Sequence, residues 1–341
     1  MRIAYSCAGE GFGHAARMVA LYEDLAQRHD LALFVPATVA PFVSARLGGA
    51  RLRPLPCFEL QKRGNRIVYG TTLLQGLRQA AHFIPAVRRL ARTLRRLKID
   101  LVLSDFEPYL PWAARLAGVP VVQLNHPGIV RRFVSADPRS WIAAALALLM
   151  EGPWDRRILV SFYAGDVGPV LRKSLLRYPV RDAGFIAVNL KPDARRKVLP
   201  LLDALPGLDY RLYPAPGANF DEGLASCRAV ISSAGHQTLS EAISLGKPIL
   251  ALPQDGQFEQ TLNGRMLEAS GRGMACSVGD LERTLPRFLR RLPEFRSPRI
   301  LPTGFRVRDS RARLLELLEA AFRALAGPAT VGKPLSVEDV V

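Results

Sequence analysis

Short apolar runs recur along the chain, separated by segments whose apolar positions fall every three or four residues. In the first half the runs are 3–7, 31–35, 101–104, 119–124 and 158–162; in the second they are 185–190, 210–213, 229–232, 249–252 and 274–278. Runs with so little polar alternation fit strands buried on both faces. Between them the spacing predicts helices over 15–28, 73–97 (interrupted at Pro85), 108–116, 238–245 and 260–269. Strands alternating with helices give parallel sheets with covered faces, so the fold class is α/β.

A chain of 341 residues is long for one average domain and suits two. Gly168-Pro169 and Tyr178-Pro179 break the periodic pattern. The expected division is therefore 1–175 and 176–325. Within the second part, Leu314, Leu315, Leu318, Ala321, Phe322 and Leu325 mark a final helix over 310–325 that can pack back toward the first domain. Residues 326–341 lack an apolar face and are expected to form a loose tail.

The opening residues Met1 to Ser6 lack the cationic start and apolar stretch of a secretory leader. The most apolar run elsewhere, Trp141 to Met150, is far shorter than the ~20 residues that span a bilayer. Cys7, Cys57, Cys227 and Cys276 have neither zinc nor disulfide spacing, which fits a reducing cytoplasm.

The formal net charge of +17 changes the picture, because it predicts attraction to polyanions. In the helix expected over 73–97, Arg88, Arg92, Arg95 and Arg96 share one face, opposite Val87, Leu90, Ala91, Leu94 and Leu97. That face reads equally as a solvated helix surface and as one that meets anionic lipid at the inner face of the cytoplasmic membrane. Nucleic acid is disfavoured, since no aromatic-interleaved basic strand or zinc module accompanies the charge.

Three loops carry the candidate chemistry. The first is Gly9-Glu10-Gly11-Phe12-Gly13-His14, between the first strand and first helix. Gly11 and Gly13 let the backbone approach a ligand, the helix start offers N–H groups to an anion, and His14 can take a proton near neutral pH. Arg17, one turn on, can hold a phosphate or carboxylate. The spacing is not that of a dinucleotide loop, and no acidic residue follows the second strand to take a ribose, which argues against a dehydrogenase.

The second loop, Ser104-Asp105-Phe106-Glu107-Pro108, puts two carboxylates at a strand end. Asp105 reads equally as a helix cap and as a cleft residue that orients His14 or holds acceptor hydroxyls; Glu107 leans toward the cleft. Asn125-His126-Pro127-Gly128 ends the next strand on the same edge, with His126 expected to be structural.

The third is the most specific: Ser233-Ala234-Gly235-His236-Gln237-Thr238, then Glu241, then Gly246-Lys247-Pro248, an apolar strand ending at Pro253, and Gly256-Gln257-Phe258-Glu259-Gln260 with Asn263. Hydroxyls and free N–H groups at a helix start suit a diphosphate, and Glu241 can reach a ribose diol.

This pattern resembles the donor domain of GT-B glycosyltransferases, in the family 28-like group related to the peptidoglycan lipid-linked N-acetylglucosaminyltransferase. The Gly-Glu-Gly-Phe-Gly-His loop and Ser-Asp-Phe-Glu-Pro segment are similar to an uncharacterised bacterial and archaeal branch. The resemblance covers the chain to about Leu325 and implies two Rossmann-like domains facing each other across a cleft. It implies that Gly235, His236, Gln237 and Thr238 meet the diphosphate, Glu241 the ribose, and Glu259 and Gln260 the donor sugar. Gly11, Gly13, Arg17 and Asn125 would then face the acceptor.

Ser233 stands where plant-type relatives carry histidine, so hydroxyls, the helix dipole or an arginine must neutralise the phosphates. His236 occupies a position that is often small in relatives. Glu259 stands where the peptidoglycan enzyme has glutamine.

The expected activity is inverting transfer from a nucleotide-diphosphate sugar, a UDP-sugar being the expected form, to a lipid-linked or glycan acceptor. His14 is the expected base, with Asp105 and Glu107 in reserve. No cofactor is expected, and no Asp-x-Asp metal motif is present. The rival readings are a UDP-sugar 2-epimerase and a non-catalytic nucleotide-sugar-binding protein.

Overall fold

The first five apolar runs assemble into one parallel sheet, joined at its edge by a strand the pattern hid. Its strands are β1 (Arg2–Cys7), β2 (Asp30–Pro36), β3 (Leu52–Leu55), β6 (Leu101–Asp105), β7 (Val121–Asn125) and β8 (Arg156–Leu159), in the order β3-β2-β1-β6-β7-β8. A two-strand hairpin, β4 (Lys62–Arg63) with β5 (Arg66–Ile67), lies between β3 and the next helix. The second sheet runs β10-β9-β11-β12-β13, from β9 (Ile186–Asn189), β10 (Tyr210–Tyr213), β11 (Ala229–Ser233), β12 (Ile249–Leu252) and β13 (Gly273–Ala275). The computed structural model describes residues 1–57, 62–63, 66–67, 69–296 and 303–326, and of 62–81 the backbone only. Most of the tail expected over 326–341 lies outside the described residues.

Around the first sheet pack α1 (Gly13–Ala26), α2 (Ala40–Ser44), α3 (Tyr69–Arg96), α4 (Tyr109–Ala117) and α5 (Pro138–Glu151). Around the second pack α6 (Pro192–Asp203), α7 (Phe220–Ser226), α8 (His236–Ser244), α9 (Phe258–Ala269), α10 (Leu281–Arg290) and α11 (Leu292–Arg296). The expected break at Pro85 does not occur: α3 continues through it. A proline removes one helical hydrogen bond. Val87, Leu90, Ala91 and Leu94, buried in the turns that follow, anchor the helix to the core beyond it.

The last helix, α12 (Arg311–Leu325), sends Leu314, Leu318 and Phe322 into the same core as Met18, Leu21 and Leu25 of α1. The chain thus returns to its first lobe after building the second. The two lobes also share an apolar cluster, in which Ile129, Phe162 and Tyr163 pack with Ala234, Leu239 and Leu262.

Strand order reverses direction twice. In the first sheet the switch lies between β1 and β6, which pair from Ile3 with Leu101 to Cys7 with Asp105. In the second it lies between β9 and β11. Connections leave such a pair of strands on opposite sides, opening a crevice at their carboxyl ends where ligands bind. The glycine loop and Asp105 sit at one switch point, Ser233 and Gly235 at the other.

Candidate active site

At the first switch point the chain leaves β1 and turns through Gly11, whose φ of +74° is costly for any residue with a side chain. It then enters α1, whose first turn presents His14. The His14 Nδ1 lies 2.6 Å from Asp105 Oδ1, and Arg17 Nε donates to Asp105 Oδ2 at 2.7 Å. Asp105 is fully buried. Burial pushes its carboxyl up, but Arg17 and His14 together outweigh burial and hold it below the ordinary aspartate range.

An ionised Asp105 accepts a hydrogen bond from Nδ1–H, which leaves Nε2 of His14 as the acceptor nitrogen. Phe106, held at φ +60°, stacks its ring on the imidazole with centroids 5.6 Å apart and planes 10° from parallel. The Phe106 amide donates to Gln123 Oε1 at 3.0 Å, which fixes this unusual backbone.

Three expectations for this lobe are corrected. Arg17 was expected to hold an anionic group of the acceptor; it is 4% exposed and committed to Asp105. Glu107 was expected as a reserve base. Its carboxylate instead accepts from Ser6 Oγ at 2.6 Å and from the Tyr109 and Leu110 amides at 2.8 and 3.1 Å, holding the start of α4. Asn125 was expected at the acceptor; it is buried, with Oδ1 accepting the Gly128 amide at 2.8 Å and Nδ2 donating to Glu151 Oε1 at 3.2 Å.

At the second switch point β11 runs into Gly235, and α8 begins at His236, two residues earlier than the spacing predicts. Gly235 adopts extended geometry and serves as N-cap without any side-chain capping bond. The first internal bond runs from the Leu239 amide to Gly235 O at 3.2 Å. The amides of His236, Gln237 and Thr238 therefore precede the helical ladder and point out of the helix start, where the dipole favours an anion. The Ser233 hydroxyl lies beside Gly235, and Gly13 of the opposite lobe faces Gln237, its would-be Cβ 3.8 Å from the Gln237 Cβ.

Glu241 is 1% exposed and already occupied. Arg172, from the connection between the lobes, grips it in bidentate fashion: Nε to Oε1 and Nη2 to Oε2, both 2.7 Å. Gln237 Nε2 adds a bond to Oε1 at 2.8 Å. Sequence reasoning missed Arg172, which belongs to no motif and meets its partner 69 residues away.

The His236 side chain turns away from the helix start into the lobe interface, which leaves only its backbone amide at the helix start. It stacks on His126 with ring centroids 3.7 Å apart, and its Nε2 accepts from the Phe162 amide at 3.2 Å. Asn263 ties this interface together: it donates to Ala234 O at 3.0 Å and accepts from Tyr163 at 2.6 Å and from His126 Nε2 at 2.9 Å. Burial holds His126 down to about 3, and His236 is also held well below the usual histidine range, so the stacked rings are neutral. Glu259 lies 3.8 Å from His126 Nε2, and burial raises its carboxyl despite the opposing charges of His14 and Arg17. Gln260 Oε1 accepts the Gln254 amide at 3.0 Å and closes the loop after β12.

Among the described residues no three histidine, cysteine, aspartate or glutamate side chains gather as metal ligands, and no helix is long and apolar enough to cross a membrane.

Comparison with known proteins agrees with this architecture. The model of glycosyl transferase family 1 matches residues 1–182 and 206–293. An uncharacterised glycosyltransferase of Methanosarcina acetivorans is 29% identical over 99% of this chain and 98% of its own length. Another, from Methanosarcina mazei, is 31% identical over 81% of this chain and 86% of its own. Among solved structures, the glycosyltransferase VinC in complex with dTDP aligns with a TM-score of 0.59 at 16% identity, covering 96% of this chain and 99% of that one. The Acinetobacter baumannii MurG aligns with a TM-score of 0.56 at 14% identity, covering 94% and 99%. At such identities the likeness is one of fold, GT-B. By the family match and the archaeal relatives, the chain belongs to glycosyl transferase family 1.

Proposed function

We propose that the protein moves a hexose or N-acetylhexosamine from a nucleoside-diphosphate sugar to a hydroxyl of a lipid-linked or cell-envelope glycan, inverting the anomeric centre and using no metal ion. The observation that carries this reading is the pairing of His14 with Asp105 at one switch point, opposite an uncapped helix start at the other. In the reaction His14 Nε2 takes the proton of the acceptor hydroxyl, whose oxygen attacks the anomeric carbon. The bond from that carbon to the diphosphate breaks, and the nucleoside diphosphate leaves with the electron pair.

Negative charge grows on the diphosphate as this bond lengthens. The amides of His236, Gln237 and Thr238, with the hydroxyls of Ser233 and Thr238, are the donors aimed at it. Glu241 takes the ribose diol, and Glu259 and Gln260 the sugar hydroxyls. Uridine is the proposed base; the dTDP bound to VinC makes thymidine the alternative.

Attachment to an anionic membrane, where a lipid-linked acceptor resides, is part of the same reading. Arg88, Arg89, Arg92, Arg95 and Arg96 are exposed on α3, and Arg95 reaches Leu116 O on α4. Leu116 is exposed with its neighbour Trp112, and Trp141, Ile142, Leu148 and Leu149 are exposed along one face of α5. Basic and amphipathic surface of this kind suits a headgroup layer.

The test is incubation with UDP- and dTDP-sugars, with and without lipid extracts, following nucleoside diphosphate release and the anomeric coupling of the product by NMR. Retained configuration would overturn inversion, and donor isomerised without an acceptor would point to an epimerase. Failure to sediment with phosphatidylglycerol vesicles at low salt would remove the membrane part alone.

A further inference from the structure

Glu241 is proposed above as the ribose partner, yet both its oxygens are taken by Arg172. The guanidinium is also paired with Asp221 and lies under the Phe220 ring, 5.8 Å from its centroid. One cation thus sits where a ribose diol would have to enter. A bidentate arginine and a vicinal diol make similar demands on a carboxylate: two parallel donors directed at its two oxygens.

A second guanidinium lies nearby, from the other lobe. Arg46 follows α2, is exposed, and rests 3.8 Å from the centroid of Phe42 while donating to Phe42 O at 3.2 Å. Phe42 in turn packs on Phe12 of the glycine loop at 5.1 Å, and the next residue, Gly13, faces Gln237, the other partner of Glu241. Among the described residues no carboxylate pairs with Arg46. Burial lowers its pKa, the charge of Arg172 lowers it further, and Asp221 opposes both, so the two guanidinium groups lie within electrostatic reach of each other. The two cations come from opposite lobes, and the helix start that supplies Gln237 carries no positively charged side chain of its own at Ser233 to Thr238.

We propose that Arg172 is exchanged by the donor: it fills the ribose seat on Glu241 in the empty protein, and once displaced it joins Arg46 as a two-arginine clamp on the diphosphate. The inference rests on the nucleotide-sugar reading and adds to it a source of phosphate neutralisation. It also makes donor binding selective, because a nucleoside without phosphates must break the Arg172–Glu241 pair and offers the freed guanidinium nothing in return.

The experiment is a titration of UDP, uridine, dTDP and thymidine against wild type, Arg46→Gln and Arg172→Lys, by calorimetry and thermal shift. Arg46 is exposed, so its replacement leaves the fold intact, and lysine at 172 keeps the charge while losing the fork that grips both oxygens. Arg46→Gln is expected to weaken the diphosphates about tenfold or more, the scale of one lost charge-assisted contact, and to leave the nucleosides unchanged. Arg172→Lys is expected to weaken the diphosphates and to tighten the nucleosides, because Glu241 is held less firmly. If wild type binds a diphosphate and neither variant changes its preference over the nucleoside, the exchange is wrong and the transferase reading stands. If wild type binds neither diphosphate, and none with adenine, guanine or cytosine, both fall together.

Discussion

The His14 imidazole and the Asp105 carboxylate meet at 2.6 Å across 91 residues of sequence, and Arg17 holds the second oxygen of the same carboxylate. Each group sets the state of the next. Arg17 keeps a fully buried aspartate ionised, the aspartate fixes the imidazole tautomer, and the remaining nitrogen is left to accept a proton.

His14→Ala is therefore expected to lower the turnover number by about 10²- to 10⁴-fold, the usual contribution of a positioned base. Asp105→Asn should approach the same loss, since an amide leaves the tautomer unfixed. Both variants should bind nucleoside diphosphate as wild type does, because neither residue belongs to the second lobe. Single-turnover transfer beside a nucleotide titration checks this, and full turnover in His14→Ala would move the proton to another group.

Glu107 carries a pH signature of a different kind. Burial, partly offset by the Ser6 hydroxyl and two amides, raises its carboxyl from 4.5 to about 7. Between those values the folded protein keeps a proton that the unfolded chain has released, so stability falls as pH rises through that window. The loss amounts to about 3 kcal/mol for one group shifted this far. Glu107→Gln should abolish that slope and melt higher than wild type above neutral pH, with donor binding unchanged. Denaturant titrations at several pH values decide it; parallel curves for the two proteins would mean the carboxyl is ionised throughout.

Most strands were legible because parallel strands with both faces covered must be apolar at nearly every position. The exception is instructive. The strand Leu52–Leu55 reads Leu-Arg-Pro-Leu, and it lies at the sheet edge, where a proline costs no ladder bond and a charge can face water. The glycine loop, Asp105 and the Gly235 turn were legible as strand-end polar groups. What they touch was not: Arg17 read as ligand-facing from local position and His236 from the family resemblance, and both side chains are claimed by partners that only the fold brings near. Arg172 shows the limit most clearly, since a lone arginine in a connection carries no signal until Glu241 is placed against it.

The stacked pair His126–His236 makes the lobe interface acid-sensitive. Facing His126 are His236, Asn263, the Val160 carbonyl and Glu259, with the charges of Arg17 and His14 further off. Burial lowers His126 from 6.5 to about 3, so below 6.5 the unfolded chain gains a proton that the folded protein refuses. Stability is full above that pH and declines as pH falls toward 3. His126→Phe keeps a ring against His236 and removes the titration. It should cost about 1 kcal/mol near neutrality, for the lost bond to Asn263, and the gap should close or reverse by about pH 4.5, where this histidine alone costs wild type about 2–3 kcal/mol. A constant difference across that range would show that His126 titrates normally.

Gly13 and Gln237 face each other across the two lobes. A Cβ at Gly13 would stand 3.8 Å from the Gln237 Cβ, an ordinary van der Waals contact, so Gly13→Ala should behave as wild type. A longer side chain has to displace either the helix start of α8 or the loop that carries His14, because packed elements give way by fractions of an ångström. Gly13→Leu should hold His14 back from the sugar while leaving each lobe's core untouched. The expected result is a fall in kcat/KM of about tenfold or more, given how sharply a displacement near 1 Å penalises a reacting pair. The melting temperature should stay within about 2 °C of wild type, as for most substitutions outside a core. A Gly13→Leu protein of normal activity would show that the lobes do not need this approach to bring His14 to its substrate.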